Sequence, residues 1–329
     1  MPDLNWPAVS VIMPLYNEAR YVERSVGAML AQDYPGQIEV ICVDGMSTDS
    51  TQKIVRSIAN HDPRVRLVEN PKRIQAAALN LGIRKARYDL VARMDGHTCA
   101  APDYLRLCVE TMRITEAACV GGRWEYDGET FVARAIGAAM ESPFGAGSAR
   151  WRQSSKAGEV DTVPFGIWQR KAVLTLGGFD ETLICNEDYE FNYRLRTAGG
   201  RVYYSPSIVT TYYSRQNLRA LARQYFRYGF WKARVLQMHP ASFHLRHLVA
   251  PAFVGGLVTG AALAGVWPLA RSVYGAALLT YTLLTLFFSA RQATKHGWRY
   301  FPLLPFIFPI LHLSWGGGFW VCLLYTSPS

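Results

Sequence analysis

Asp95-Gly96-His97 has residue types that could hold a divalent cation. With a strand ending at Met94 and a glycine at the centre, carboxylate and imidazole can point to the same side, leaving the other ligand positions to phosphate and water. On its own such a triplet is more often a turn. Glu187-Asp188 stands directly before a helical pattern that starts at Tyr189. A carboxylate there is stabilised by the helix dipole, worth about 0.3–1 kcal/mol, and the same field keeps Asp188 ionised, as a general base must be. Asp44, at the end of an apolar run, has less local work to do and can accept hydrogen bonds from a nucleobase N–H or a ribose hydroxyl, whereas Asp49 and Ser50 read as an Asx turn and helix cap. Gln224 and Arg227 fall at i and i+3, with Tyr228 and Trp231 beside them. That pattern offers a cation and an aromatic platform to phosphate or sugar; it equally describes an amphipathic helix at a membrane surface with snorkelling arginines.

Four apolar runs position the first of these groups: Val9 to Met13, Ile38 to Val43, Val65 to Val68 and Leu90 to Met94. After each, the apolar period lengthens to helical spacing, over Tyr21 to Gln32, Thr51 to Ala59, Ile74 to Lys85 and Pro102 to Arg113. Alternating strand and helix predicts a parallel α/β sheet covered on both faces, with ligands at the carboxyl edge of its strands. That edge would collect Pro14, Asn17, Glu18, Asp44, Ser47, Asp49, Arg73, Asp95 and His97. Further on, Cys119 to Gly122 reads as a strand and Phe131 to Glu141 as a helix. Gly145 to Gly158 reads as a long polar loop, Gly177 to Glu181 as a turn, and Tyr189 to Ala198 as a helix ended by Gly199-Gly200.

Composition changes near residue 246 of the 329. Residues 1–240 read as one soluble domain and 241–329 as a membrane region with apolar stretches at 248–269, 272–290 and 301–324, each close to the roughly 20 residues that cross a bilayer. Arg223, Arg227, Lys232, Arg234 and Arg246 precede the first stretch and Arg291, Lys295 and Arg299 fill the loop before the third, so the positive-inside rule puts the large domain in the cytoplasm. The net charge of +10 and pI of about 9.4 then speak for anionic lipid rather than nucleic acid, for which there is no motif. The six cysteines show no metal or disulfide spacing, and no Gly-x-Gly-x-x-Gly follows the first strand, which argues against a dinucleotide oxidoreductase. The terminal run Cys322 to Ser329 departs from the membrane pattern and resembles translated adaptor sequence, so the natural C-terminus is expected to differ.

Five segments in order, "SVIMPLYNE", "VDGMSTDST", "MDGH", "GGFDE" with "NEDYEFNYRLRTAGG", and "QYFRY", together resemble glycosyltransferase family 2, inverting enzymes of the GT-A fold. Within it, "RMDGHT", "QYFRYGFWKAR" and the trailing apolar segments most resemble the ExoA-like succinoglycan glucosyltransferases. The resemblance implies that Pro14, Asn17 and Glu18 shape the donor pocket, that Asp44 recognises the uracil of a UDP-sugar with Ser47 and Asp49 in its loop, and that Arg73 lies near the base or phosphates. It implies a divalent metal, Mn²⁺ or Mg²⁺, on Asp95 and His97, and Asp188 as the base. Glu187, Gln224, Arg227, Tyr228 and Trp231 would face acceptor or diphosphate. His97 stands where most members carry Asp, which shifts the expected preference toward Mn²⁺.

The expected reaction is a single displacement of a UDP-sugar, with glucose as the first guess, by a polyprenyl-diphosphate-linked saccharide in exopolysaccharide biosynthesis, alongside other assembly proteins. A processive polysaccharide synthase and a polyprenyl-phosphate sugar synthase are the rivals within the enzyme class. A non-catalytic, membrane-anchored nucleotide-binding scaffold is the rival outside it.

Overall fold

The computed structural model describes residues 6–147 and 149–325. Its first half alternates strictly: β1 (Val9–Leu15), α1 (Val22–Leu30), β2 (Ile38–Asp44), α2 (Thr51–His61), β3 (Val65–Glu69), α3 (Gln75–Lys85) and β4 (Leu90–Arg93). Then follow β5 (Thr98–Ala100), α4 (Tyr104–Thr115), β6 (Cys119–Asp127), α5 (Phe131–Met140), and two one-turn helices, α6 (Pro143–Ala146) and α7 (Arg150–Gln153). The chain continues with β7 (Gly158–Glu159), β8 (Ile167–Gln169), α8 (Arg170–Thr175), α9 (Glu187–Thr197) and β9 (Val202–Tyr213). Four long helices close it: α10 (Leu218–Met238), α11 (Val249–Val266), α12 (Pro268–His296) and α13 (Leu304–Tyr325).

Packing divides the chain into two compact units, Met1–Glu125 with Ser154–Tyr212, and Tyr126–Gln153 with Tyr213–Ser329. The sheet is mixed, in the order β3-β2-β1-β4-β8-β6-β9-β5, with β7 on β9. β3, β2, β1 and β4 run parallel, in the register Leu15 opposite Asp44 and Asp44 opposite Glu69. β1 and β2 are buried at every position, as strands covered on both faces must be. Beyond β4 the pairings β4–β8, β6–β8 and β5–β9 are antiparallel, and this half is largely absent from the sequence expectation. Its strands β5 and β8 have three residues each, too short for a period of two to register.

Of the two candidates for capping α2, Asp49 acts: its Oδ1 accepts from Thr51 N at 2.9 Å, while Ser50 makes no side-chain cap. Two local expectations change. The segment expected as a polar loop carries α6 and α7, with Ser148 between them outside the described residues. Cys322 to Tyr325 continue α13 rather than leaving it, and Thr326 to Ser329 lie outside the described residues.

In the second unit, α11, α12 and α13 are long and apolar enough to cross a membrane. The sequence boundary at residue 240 differs from the packing, which groups 213–240 and 126–153 with these helices. The reason is close backbone approach. A Cβ at Gly229 of α10 would sit 1.8 Å from the Trp315 carbonyl oxygen of α13, and one at Gly318 would sit 2.0 Å from that of Phe226, so glycine alone fits this helix pair.

Candidate functional site

The carboxyl ends of β1 and β2 are stitched together by their own loop residues. Asn17 N donates to Ser47 Oγ at 2.9 Å, Thr48 N donates to Asn17 Oδ1 at 2.8 Å, and Ala19 N donates to Asp49 Oδ2 at 3.1 Å. Hydrogen bonds from Thr51 and Ala19 hold the Asp49 carboxyl below its ordinary value against a burial effect that works the other way. Asn17, Met46 and Arg73, one after each of the first three strands, take positive φ of 55°, 60° and 57°. Left-handed backbone in non-glycine residues is costly and concentrates where a loop is held in shape for a ligand. Pro14 is buried within β1, opposite Val43, and Arg73 is exposed at the sheet edge.

Asp44 departs from expectation. It is fully buried, and its carboxylate accepts from Ser47 N at 2.8 Å, Ser47 Oγ at 2.5 Å and Gln52 Nε2 at 2.6 Å. Asp44 therefore has local work: it organises the Gly45–Thr48 loop and orients Gln52.

The centre of the site is a residue that the sequence reading passed over. Arg93, the last residue of β4, is 7% exposed and donates through Nε to Asp95 Oδ1 at 3.0 Å and through Nη1 to Glu187 Oε1 at 3.0 Å. A second contact, from Nη2 to Asp95 Oδ2 at 3.3 Å, completes a fork on Asp95. One guanidinium therefore joins the segment after β4 to the start of α9. The available sequence signal was an arginine interrupting the apolar run "LVARM". Gln75 Nε2 reaches Asp95 Oδ1 at 3.3 Å from the first turn of α3.

Asn186, at a positive φ of 64°, turns the chain into α9 so that Glu187, Asp188 and Glu190 fill its first turn. The turn before it is held from two sides. Asn80 of α3 donates to Phe179 O at 2.8 Å, and Arg194 of α9 donates to Gly178 O at 2.7 Å. Burial pushes the Glu187 carboxyl up to about 7, with Arg93 pulling it down and Asp188 pushing it further up. Asp188 is only partly buried, and its Oδ1 accepts from Tyr189 N at 2.7 Å. Asp95, Glu187 and Asp188 all act electrostatically on Arg93, whose guanidinium they hold charged despite its burial.

His97 takes a different partner from Asp95. Its Nδ1 lies 2.8 Å from Glu18 Oε1, and its ring meets Tyr212 edge-on at 5.4 Å. Tyr212 stacks on Trp124 at 4.5 Å, Trp124 packs on Phe165 at 5.4 Å, and Arg93 lies 5.8 Å over the Phe165 ring. A continuous aromatic wall thus runs from His97 to Arg93. Gly96 is required by this arrangement, since a Cβ there would fall 2.5 Å from Leu15 Cδ2 and 2.9 Å from Glu18 Cγ.

Among the described residues no group of three or more His, Cys, Asp and Glu could hold a metal. The residues present nevertheless fit one kind of ion. His97 pinned through Nδ1 to a carboxylate leaves Nε2 as the ligand nitrogen, the usual outer-shell arrangement of a metal-binding histidine. With Asp95 it would offer two protein ligands to a divalent cation, Mn²⁺ or Mg²⁺, whose remaining positions are phosphate oxygens and water.

Gln224, Arg227, Tyr228 and Trp231 belong to the second unit and are described with it. Gln224 is buried and donates through Nε2 to Tyr228 Oη at 2.8 Å, while Arg227 is exposed. The expected shared face of Gln224 and Arg227 is therefore divided between interior and surface, because α13 covers only one side of α10.

Residues 10–174 match the model of the family described as glycosyl transferase family 2. The chain is 32% identical to the succinoglycan biosynthesis protein ExoA of Rhizobium meliloti (strain 1021), over 95% of this chain and 94% of that one. It is 29% identical to a dolichyl N-acetyl-alpha-D-glucosaminyl phosphate 3-beta-D-2,3-diacetamido-2,3-dideoxy-beta-D-glucuronosyltransferase of Methanococcus voltae, over 70% of this chain and 74% of that one. Among solved structures, the fold is similar to the mannosyltransferase PcManGT of Pyrobaculum calidifontis in complex with GDP-Man and Mn²⁺, with TM-score 0.64 and 22% identity, covering 94% of this chain and 87% of that one.

Proposed function

The chain belongs to glycosyl transferase family 2, and on that premise we propose that this glycosyltransferase moves a hexose, glucose in the first instance, from a UDP-sugar to a polyprenyl-diphosphate-linked saccharide, with inversion. The observation that carries the reading is the Arg93 bridge between Asp95 and Glu187. It ties the carboxylate suited to the diphosphate end of a donor to the helix start that bears Asp188.

Asp188 takes the proton of an acceptor hydroxyl as that oxygen bonds to the anomeric carbon and the bond from that carbon to the diphosphate oxygen breaks. The departing nucleoside diphosphate keeps the electron pair. Asp95 and His97 Nε2 would hold a divalent cation, whose chemistry is to neutralise charge on the diphosphate. Mn²⁺ in the PcManGT complex and the imidazole ligand both favour Mn²⁺ here. Arg93 orients Asp95 through its fork, and burying Glu187 against Arg93 leaves Asp188 as the accessible carboxylate of the helix start. The Asp44 loop shapes the place for the base, and Arg73 offers a cation at its rim. The C-terminal apolar helices, with the cations that flank them, suit a cytoplasmic catalytic unit at a membrane holding a lipid acceptor.

Membranes containing the full chain, incubated with a panel of UDP-sugars and a lipid extract, test the reading. The expected result is UDP release with UDP-glucose together with a lipid product that keeps its diphosphate. A product carrying one phosphate, or no transfer from any UDP-sugar, overturns it.

A further inference from the structure

Within the second unit a half-open cavity of about 190 Å³ lies between the end of β6, α5 and the end of α12. Tyr126, Asp127, Arg134, Glu141, His296 and Tyr300 supply its polar lining. None of these residues takes part in the chemistry above. The cavity is smaller than the roughly 300 Å³ at which pockets for drug-sized ligands begin, so it suits a head group rather than a nucleotide.

Its charges are arranged in an informative way. Glu141 is already compensated, by Lys295 Nζ at 2.6 Å and His296 Nε2 at 3.2 Å, and these hydrogen bonds hold its carboxyl low although burial opposes them. Arg134 and Asp127 are not. Arg134, a lining residue, donates through Nε to Gly128 O at 2.7 Å, and among the described residues its Nη groups have no hydrogen-bond partner. Asp127 Oδ1 accepts from Gly128 N at 2.6 Å, which leaves Oδ2. Among the described residues neither makes an ion pair, so a cation and an anion face one cavity without neutralising each other. One turn earlier on the same face of α12, Gln292 is 5% exposed and its Oε1 makes no hydrogen bond among the described residues.

The position says where the occupant comes from. α12 is long and apolar enough to cross a membrane, and its last turns carry Arg291, Lys295 and His296, followed by Arg299, whose guanidinium lies 4.8 Å over the Tyr300 ring. Basic residues and a tyrosine at a helix end mark the level of lipid head groups.

We propose that this cavity binds the phosphorylated head of a membrane lipid, the phosphate on Arg134 and a hydrogen-bond-donating substituent, hydroxyl or ammonium, on Asp127. Such a head belongs either to an ordinary glycerophospholipid or to a lipid-linked sugar phosphate. The site rests on the second unit's own residues and does not require the transfer reaction proposed above.

The test uses the full chain purified in detergent, with bound lipid counted by native mass spectrometry. Phosphatidylethanolamine should bind at one saturable site at least tenfold more tightly than phosphatidylcholine, whose phosphate is the same but whose quaternary nitrogen has no N–H. Arg134→Gln should weaken both at least tenfold, Arg134→Lys less, and Asp127→Asn should erase the difference between them. Melting temperatures of the variants identify any that fail to fold, and Asp127→Asn, at an exposed side chain, keeps the proposal open to refutation if the arginine variants do not fold. Displacement of phosphatidylethanolamine by a polyprenyl-phosphate-linked sugar would assign the site to the sugar lipid, and failure to displace would assign it to bulk phospholipid; both uphold it. Equal binding of the two phospholipids, or binding unchanged in Arg134→Gln, overturns it. Binding of UDP to the same preparations is read separately, so a failed transfer reaction and a failed lipid site are told apart.

Discussion

Arg93 and Glu187 stand 94 positions apart in the chain, yet their side chains meet at 3.0 Å in the interior, both less than a tenth exposed. A buried ion pair adds little net stability over an apolar pair, but removing one partner leaves the other charge stranded. Arg93→Met should therefore cost about 3–5 kcal/mol, since it strands two carboxylates at once. Arg93→Lys keeps the charge and loses the fork on Asp95, so it should retain most stability and lose activity at least tenfold. Urea unfolding beside UDP-release rates measures both, and a lysine variant with full activity would show that the fork is dispensable.

Asp188→Asn removes the proposed base without changing shape. Turnover should fall about 10²–10⁴-fold, the usual worth of general-base catalysis, with UDP binding nearly unchanged. Calorimetric UDP binding and single-turnover transfer separate the two effects. Turnover within tenfold of wild type would exclude Asp188 as the base.

Glu187 makes stability depend on pH with a definite sign. Burial raises its folded-state carboxyl above the unfolded value, so the folded chain holds the proton more tightly. That contribution is complete below the unfolded value and is lost as pH rises through the folded one. Measured against Glu187→Gln, which has no such proton, the wild-type melting temperature should fall between the unfolded value near 4.5 and the folded value of about 7, then level off. A wild-type advantage that grows with pH across this window would reverse the assignment.

Glu18→Gln should weaken Mn²⁺ activation about 10–100-fold while leaving UDP binding without metal unchanged, because Glu18 orients His97, the proposed metal ligand. A titration of activity with Mn²⁺ after chelation reads this directly. An unchanged half-saturating concentration would overturn the proposed metal role of His97 and, through it, of Glu18.

Gly96→Ala places a methyl within 2.5 Å of Leu15 and 2.9 Å of Glu18, so it should destabilise by about 1–3 kcal/mol and misplace His97. Gly27, around which nothing lies within 4 Å, is the control: Gly27→Ala in the middle of α1 should stabilise by about 0.5–1 kcal/mol. Thermal melts of the two variants should move in opposite directions.

The amino-acid sequence by itself determined the elements with a strong period: the four parallel strands, the helices between them and the apolar C-terminal helices. Local hydrophobic spacing encodes each of these without reference to anything distant. It also determined which loops carry carboxylates, because a strand's end and the chemistry of the next few residues are neighbours in the chain. Tertiary structure alone decided the rest. β5 and β8 exist because β9 and β4 offer them unpaired backbone, which no three-residue pattern announces. Asp44 looked idle until Gln52 folded back onto it, and Asp95 and His97, separated by one glycine, take different partners, Asp95 the nearby Arg93 and His97 the distant Glu18. Ion pairs and hydrogen bonds between residues 79 or 94 positions apart leave no local signature, since the energy that selects them is the cost of burying a charge, and burial is a property of the assembled fold.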